Sequence, residues 1–188
     1  MRIVAGLLCA SLVPVHARAE APAVFGGYEW AHPDFENVHL FTGHMNGWKA
    51  GAVVPVAAGF GVVGQVDGVY GEAFGTGIVV RRTGTARPWF YDVEGGLRYT
   101  VRPSGRASPF IEGLIGVTHG QAGTMGIDFL GTAIDTRLEG AVAGGITVRL
   151  THTLGVQGDA SYRRSRLFDQ RLNRLQVGAT AVWRMGGT

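Results

Sequence analysis

What most constrains this chain is a period-two alternation that recurs in eight segments and leaves one face of each without charge. Successive side chains of a β-strand point to opposite faces, so such a pattern reads as strand and not as helix. In the first segment Val24, Gly26, Tyr28 and Trp30 oppose Phe25, Gly27 and Glu29. Trp48, Ala50, Ala52 and Val54 then oppose Gly47, Lys49, Gly51 and Val53. Val62, Gly64, Val66, Gly68 and Tyr70 oppose Val63, Gln65, Asp67 and Val69, and the fourth segment sets Trp89, Tyr91, Val93, Gly95, Leu97 and Tyr99 against Phe90, Asp92, Glu94, Gly96 and Arg98. Ile111, Gly113, Ile115 and Val117 oppose Phe110, Glu112, Leu114 and Gly116. Leu138, Gly140, Val142, Gly144, Ile146, Val148 and Leu150 oppose Arg137, Glu139, Ala141, Ala143, Gly145, Thr147 and Arg149. The seventh sets Leu154, Val156, Gly158, Ala160 and Tyr162 against Gln157, Asp159, Ser161 and Arg163. The eighth sets Leu175, Val177, Ala179, Ala181 and Trp183 against Arg174, Gln176, Gly178, Thr180 and Arg184.

The polar face collects seven acids, Glu29, Asp67, Asp92, Glu94, Glu112, Glu139 and Asp159, and seven bases, Lys49, Arg98, Arg137, Arg149, Arg163, Arg174 and Arg184. A solvated face needs no such balance. A closed interior does, because an unpaired buried charge costs several kcal/mol whereas a hydrogen-bonded pair offsets its desolvation. Glycine, 31 of 188 residues with only seven prolines and no Gly-x-y repeat, excludes a collagen-like chain. On the polar face it is expected to leave room for long side chains, and on the other face to let a narrow sheet bend.

Connection lengths form a second signal. Those at about 32 to 45, 72 to 87, 119 to 136 and 164 to 172 are long or polar, while Pro55 to Gly59, Arg102 to Ser108 and Leu150 to Thr153 are short. Long and short connections alternating between an even number of strands are the layout of a transmembrane β-barrel in an outer membrane. Tyr28, Trp30, Trp48, Tyr70, Trp89, Tyr91 and Tyr162 fall on the uncharged face near the long connections, with Tyr99 and Trp183 near the short ones. Aromatic rings concentrate at the two lipid-water boundaries in this way.

The first residues read as an export leader. Met1-Arg2 precedes an uncharged apolar run from Ile3 to Val15, and Ala17-Arg18-Ala19 supplies a small-residue cleavage site. The run is too short to span a bilayer as a helix, and Pro14 interrupts it. Residues 1–19 are therefore expected to be a signal peptide and 20–188 the barrel. Cys9 leaves with the leader. Removing Arg2 and Arg18 takes the 17 basic residues to 15 against 14 acidic, a net charge of +1, which does not make a nucleic-acid-binding surface.

The opening Val24-Phe25-Gly26-Gly27-Tyr28, Asn46-Gly47-Trp48 leading into the second segment, Val66-Asp67-Gly68-Val69-Tyr70-Gly71 closing the third, and Leu175-Gln176-Val177-Gly178-Ala179 with Trp183 in the last resemble the small outer-membrane β-barrel family of Gram-negative bacteria, of the eight-stranded OmpA/OmpX type. The resemblance extends over nearly all of residues 20–188 as a pattern, not as a strict motif. It implies outer-membrane lipid and lipopolysaccharide as surroundings, the barrel-assembly machinery as a transient partner, and an extracellular ligand for the long connections. Barrels of this kind commonly finish on an aromatic residue; this chain continues past Trp183 to Arg184-Met185-Gly186-Gly187-Thr188.

Other chemistry is weakly signalled. Gly59-Phe60-Gly61-Val62-Val63-Gly64 spells a dinucleotide fingerprint, but the residues after it continue as strand where a helix is required. His32, His39 and His44, near Asp34 and Glu36, match no compact zinc-ligand spacing. Ser161 lies beside Asp159 without a histidine on the same stretch, so no catalytic triad is evident. Arg81, Arg82 and Arg87 in the second long connection, and Arg163, Arg164, Arg166 and Arg171 around the fourth, are candidates for anion contacts at the outer rim.

The expected fold is all-β, an eight-stranded antiparallel up-and-down transmembrane barrel with a lumen filled by side chains and no open pore. A structural or surface-interaction role follows, without catalytic residues, metal or cofactor. Two other readings stay open: a soluble exported lipocalin-like binding barrel, which would turn the uncharged face inward, and a lipid-modifying barrel enzyme.

Overall fold

The structure is a computed structural model that describes residues 21–35, 44–57, 59–71, 73–76, 83–86, 88–101, 106–123, 132–167 and 170–185. The expected signal peptide lies outside these residues. Among the described residues ten strands are formed: β1 (Ala23–Phe35), β2 (Met45–Ala57), β3 (Phe60–Gly71), β4 (Ala73–Thr76), β5 (Thr83–Ala86), β6 (Trp89–Thr100), β7 (Ala107–Gly123), β8 (Thr132–Arg149), β9 (Leu154–Leu167) and β10 (Gln170–Arg184). Eight of them close into an antiparallel barrel in the order β1-β10-β9-β8-β7-β6-β3-β2. Strands β4 and β5 form a separate two-stranded hairpin within the connection from β3 to β6. Closure joins the first strand to the last, from Ala23 opposite Arg184 to Phe35 opposite Leu172, so the barrel has no open edge.

Alternation decides which way the wall faces. Glu29, Lys49, Asp67, Asp92 and Arg174 are buried inside, while Leu138 (73% exposed), Ile115 (67%), Ile111 (64%) and Val142 (64%) point outward. An uncharged exterior of this kind suits hydrocarbon and not water, so the lipocalin-like alternative, with its uncharged face inside, does not describe this barrel. The aromatics mark the two boundaries. Tyr70 meets Tyr91 edge-on at 5.6 Å between centroids, Trp89 packs on Tyr91 at 5.0 Å, and Trp30 on His44 at 5.0 Å, all near the long connections. At the opposite end Phe60 packs on Tyr99 at 4.8 Å.

The strands are longer than the membrane needs. With about 3.3 Å per residue the 18 residues of β8 run about 60 Å, whereas about 10 tilted residues cross the hydrocarbon. Strand β8 pairs with β7 along its full length but with β9 only from Glu139 onward. The first rungs of the β7–β8 hairpin therefore project beyond the wall at the long-connection end.

The short turns are tightly specified. Gly59 has φ of 80° at the β2–β3 turn, a left-handed conformation that side chains disfavour, and its carbonyl accepts from Thr100 N at 2.7 Å. The chain enters β3 directly after it, so the Gly59–Gly64 spelling lacks the helix that a nucleotide site requires. In the β8–β9 turn Thr151 Oγ1 accepts from Leu154 N at 2.9 Å.

Glycine on the inner face makes room for a long side chain at Gly178, where an added Cβ would meet the Asp159 carboxylate at 3.2 Å, but at Gly96 it answers a different need. A Cβ on Gly96 would lie 1.9 Å from the carbonyl oxygen of Gly113 on β7, a contact that only backbone movement relieves. Gly113 itself, on the outer face, has open space where its Cβ would be. The inward glycine is required by close approach of adjacent strands in a strongly curved wall. Gly96→Ala is expected to destabilise the barrel by about 1–3 kcal/mol, and Gly113→Ala to leave it nearly unchanged. Urea unfolding, followed by the loss of the folded species on unboiled gels, checks the pair.

Candidate functional site

The interior is stratified. At the long-connection end Ala31, Met45, Val69, Phe90, Leu167 and Leu172 form a buried apolar layer. Toward the short turns Phe25, Val63, Leu114, Ala141 and Val182 form a second. Charged and amide side chains are buried alongside these layers, each placed there by the inward phase of its strand.

Arg163 and Arg174, both fully buried, are the centre of the ion network. Arg163 Nη2 lies 2.8 Å from Asp67 Oδ2 and 3.1 Å from Glu94 Oε2, and its Nη1 lies 3.0 Å from Asp92 Oδ2 and 3.4 Å from Glu139 Oε1. Arg174 Nη2 donates to Asp92 Oδ1 at 2.8 Å, its Nη1 lies 2.8 Å from Oδ2 as an ion pair, and it also pairs with Glu139. Arg163 donates twice to Asp67, Nη1 to Oδ1 at 3.3 Å and Nη2 to Oδ2 at 2.8 Å, and two parallel N–H bonds to one carboxylate are the strong arrangement for arginine. Four carboxylates from three strands thus converge on two guanidinium groups.

A second set runs beside the first. Lys49 Nζ bridges Glu29 Oε1 at 2.9 Å and Asp159 Oδ2 at 2.7 Å. Gln157 connects this set to the next, its Nε2 donating to Asp159 at 3.3 Å while its Oε1 accepts from Arg98 Nη1 at 3.1 Å. Arg98 pairs with Glu112, with its guanidinium 4.1 Å from the ring centroid of Phe110 and 5.5 Å from that of Phe25. Cation–π contact adds to the ion pair in this desolvated place.

Several expected positions are different. Arg137 is exposed and pairs with Asp135 of its own strand at 3.0 Å, because it lies on the projecting part of β8 beyond the last rung shared with β9. Arg149 is exposed in the last β8–β9 rung, and Arg184 is half-buried in the last β1–β10 rung. The seven-to-seven balance therefore does not hold inside: all seven acids are buried, with only Lys49, Arg98, Arg163 and Arg174 among the bases. Arg163, expected at the rim as well as in the lumen, is wholly in the lumen. Arg164, Arg166 and Arg171 are exposed, and Arg81, Arg82 and Arg87 lie outside the described residues.

Counting charges alone misses the neutral members of the network. Gln65 donates to Glu94 Oε2 at 2.8 Å, Thr118 accepts from Arg174 at 3.3 Å, and Ser161 donates to Gln176 Oε1 at 3.3 Å. The inward phase of Gln65, Ser161 and Gln176 is visible in the alternation, whereas Thr118 lies just past the end of its segment. Ser161 is thus engaged with its cross-strand neighbour on β10. His32 packs against His44 at 5.7 Å and against Trp30 at 6.3 Å in the aromatic boundary, while His39 lies outside the described residues.

A closed eight-stranded barrel with an uncharged exterior and an ion-paired interior is an integral outer-membrane β-barrel. The chain belongs to the outer membrane protein beta-barrel domain family, whose model matches residues 5–184. Neisserial surface protein A superposes with a TM-score of 0.63 at 11% identity, over 89% of this chain and 99% of that one. Ail, the attachment invasion locus protein of Yersinia pestis, in complex with the heparin analogue sucrose octasulfate, gives 0.58 at 20% identity over 87% and 99%. OprG from Pseudomonas aeruginosa gives 0.55 at 9% over 89% and 97%. No curated protein matches the sequence.

Removing one partner from a buried ion network leaves uncompensated charge. Arg163→Met is expected to cost about 3–5 kcal/mol, whereas Arg137→Met, at an exposed pair, costs less than about 1 kcal/mol. Equilibrium unfolding of both variants in one detergent checks the difference.

Proposed function

We propose that the protein is a sealed outer-membrane barrel with a structural or surface-interaction role, neither a diffusion pore nor an enzyme. The observation that carries this reading is the set of buried, mutually paired side chains that point inward. An aqueous path would have to pass the apolar layer around Phe90 and Leu172 and then the mutually paired side chains of Arg163, Arg174, Asp67, Asp92 and Glu139. Eight strands enclose an interior just wide enough for side chains.

Work is then left to the outside of the molecule. Its surroundings are outer-membrane lipid and lipopolysaccharide, the barrel-assembly machinery is its partner during insertion, and an extracellular ligand meets the long connections. The crystal structure of Ail with sucrose octasulfate supports contacts with anionic groups for a barrel of this shape. The arginines at the long-connection end, Arg164, Arg166 and Arg171, are the side chains suited to such contacts.

Planar-bilayer recording tests the sealed lumen. The purified protein, folded in detergent and added to the bilayer, is expected to give no large steady conductance. Long-lived openings of porin size would overturn the reading.

A further inference from the structure

The expected long connection at about 164 to 172 is instead mostly strand, with β9 running to Leu167 and β10 starting at Gln170, and its arginines face sideways and not upward. On β9 the side chains of residues 162, 164 and 166 point away from the lumen, as do those of 171, 173 and 175 on β10, and they meet as Tyr162 opposite Leu175, Arg164 opposite Asn173 and Arg166 opposite Arg171. These rungs form a graded sequence. Leu175 and Tyr162 are exposed on the lipid-facing wall, and the Tyr162 hydroxyl donates to Asn173 Oδ1 at 2.9 Å. Rungs on one face are about 7 Å apart, so Arg164 stands one step above an aromatic ring of the kind that marks the lipid-water boundary, and Arg166 with Arg171 stands two steps above it. That is the depth of lipid headgroups.

Beside Arg164 the wall is recessed. Its neighbour on β8 is Gly140, where an added Cβ would meet nothing within 4 Å. Ile115 faces Gly140 across β7, and Leu138 and Val142 flank it along β8, all three strongly exposed. An apolar recess floored by bare backbone thus adjoins two outward guanidinium groups. The one acid on this outward face, among the described residues of β1, β8, β9 and β10, is Asp34, opposite Asn173 on the side away from Gly140.

We infer that this face binds a phosphorylated lipid of the outer leaflet, its phosphate held by Arg164 and Arg166 and an acyl chain laid over Gly140, an inference that rests on the surface-interaction role proposed above. Arginine matches phosphate with paired N–H donors. A soluble anion would use the arginines and leave the recess empty; a lipid uses both.

Native mass spectrometry of the detergent-folded barrel tests this, with diphosphorylated lipid A and the same lipid after phosphatase treatment as probes. Each preparation is first shown to shift on boiling and to be closed in bilayer recording, so that a negative result bears on the lipid site and not on the sealed-barrel reading. The parent is expected to bind the phosphorylated lipid roughly tenfold or more tightly than the dephosphorylated one. The double variant Arg164→Gln, Arg166→Gln should lose that preference, and Arg164→Lys, Arg166→Lys should recover part of it. Gly140→Leu should weaken both lipids, because it fills the recess. Equal binding of the two lipids by the parent, or an undiminished preference in the double glutamine variant, would overturn the proposal. So would sucrose octasulfate binding that depends on the two arginines while the lipids show no preference, which would assign them to a soluble ligand.

Discussion

The desolvation of Arg163 and Arg174 is the constraint on which the rest of the barrel depends. A guanidinium group removed from water is tolerated only where carboxylates surround it with good geometry, and here Asp67, Asp92, Glu94 and Glu139 do so from β3, β6 and β8. Each of these side chains arrives by the phase of its strand. A register slip of one residue would turn Arg163 into hydrocarbon and its neighbours into the lumen. The ion network and the strand register therefore specify each other, and the apolar layers on Phe90 and Phe25 exclude the water that would weaken both.

Polar and apolar surfaces are inverted relative to a soluble protein. The side chains that would build a water-soluble core, such as Leu138, Ile115 and Val142, cover the outside, and the inside is held by charge and hydrogen bonding. Only small apolar clusters remain within. Hydrophobic burial thus anchors the barrel in its membrane, whereas electrostatic pairing decides how it closes.

Much of this was legible in the residues because strand alternation has a period that nothing else imitates over eight segments. The inward phase of Glu29, Lys49, Asp92 and Arg174 follows from neighbours two positions away. Height along the strand does not. Arg137 has the same phase as Glu139 yet stands on a part of β8 that has outrun β9, and no local pattern reports where a partner strand stops. Gly96 was likewise readable as inward but not as crowded, since the obstruction comes from the Gly113 carbonyl on another strand. The β4–β5 hairpin, only four residues on each side, is too short for periodicity to show.

The sequence distances bridged by the interior contacts have a further meaning. Lys49 on β2 reaches Asp159 on β9 across 110 positions, and Arg163 reaches Asp67 across 96. Loop-closure entropy must be lost before either pair can form. The first two strands can pair Lys49 with Glu29, but Asp67, Asp92 and Glu94 wait for Arg163 and Arg174 on β9 and β10. The lumen consequently acts as a check on completeness: the charges are reconciled only when the late strands have come round to meet the early ones, so a partly assembled wall gains little from its interior and closure is favoured as one event.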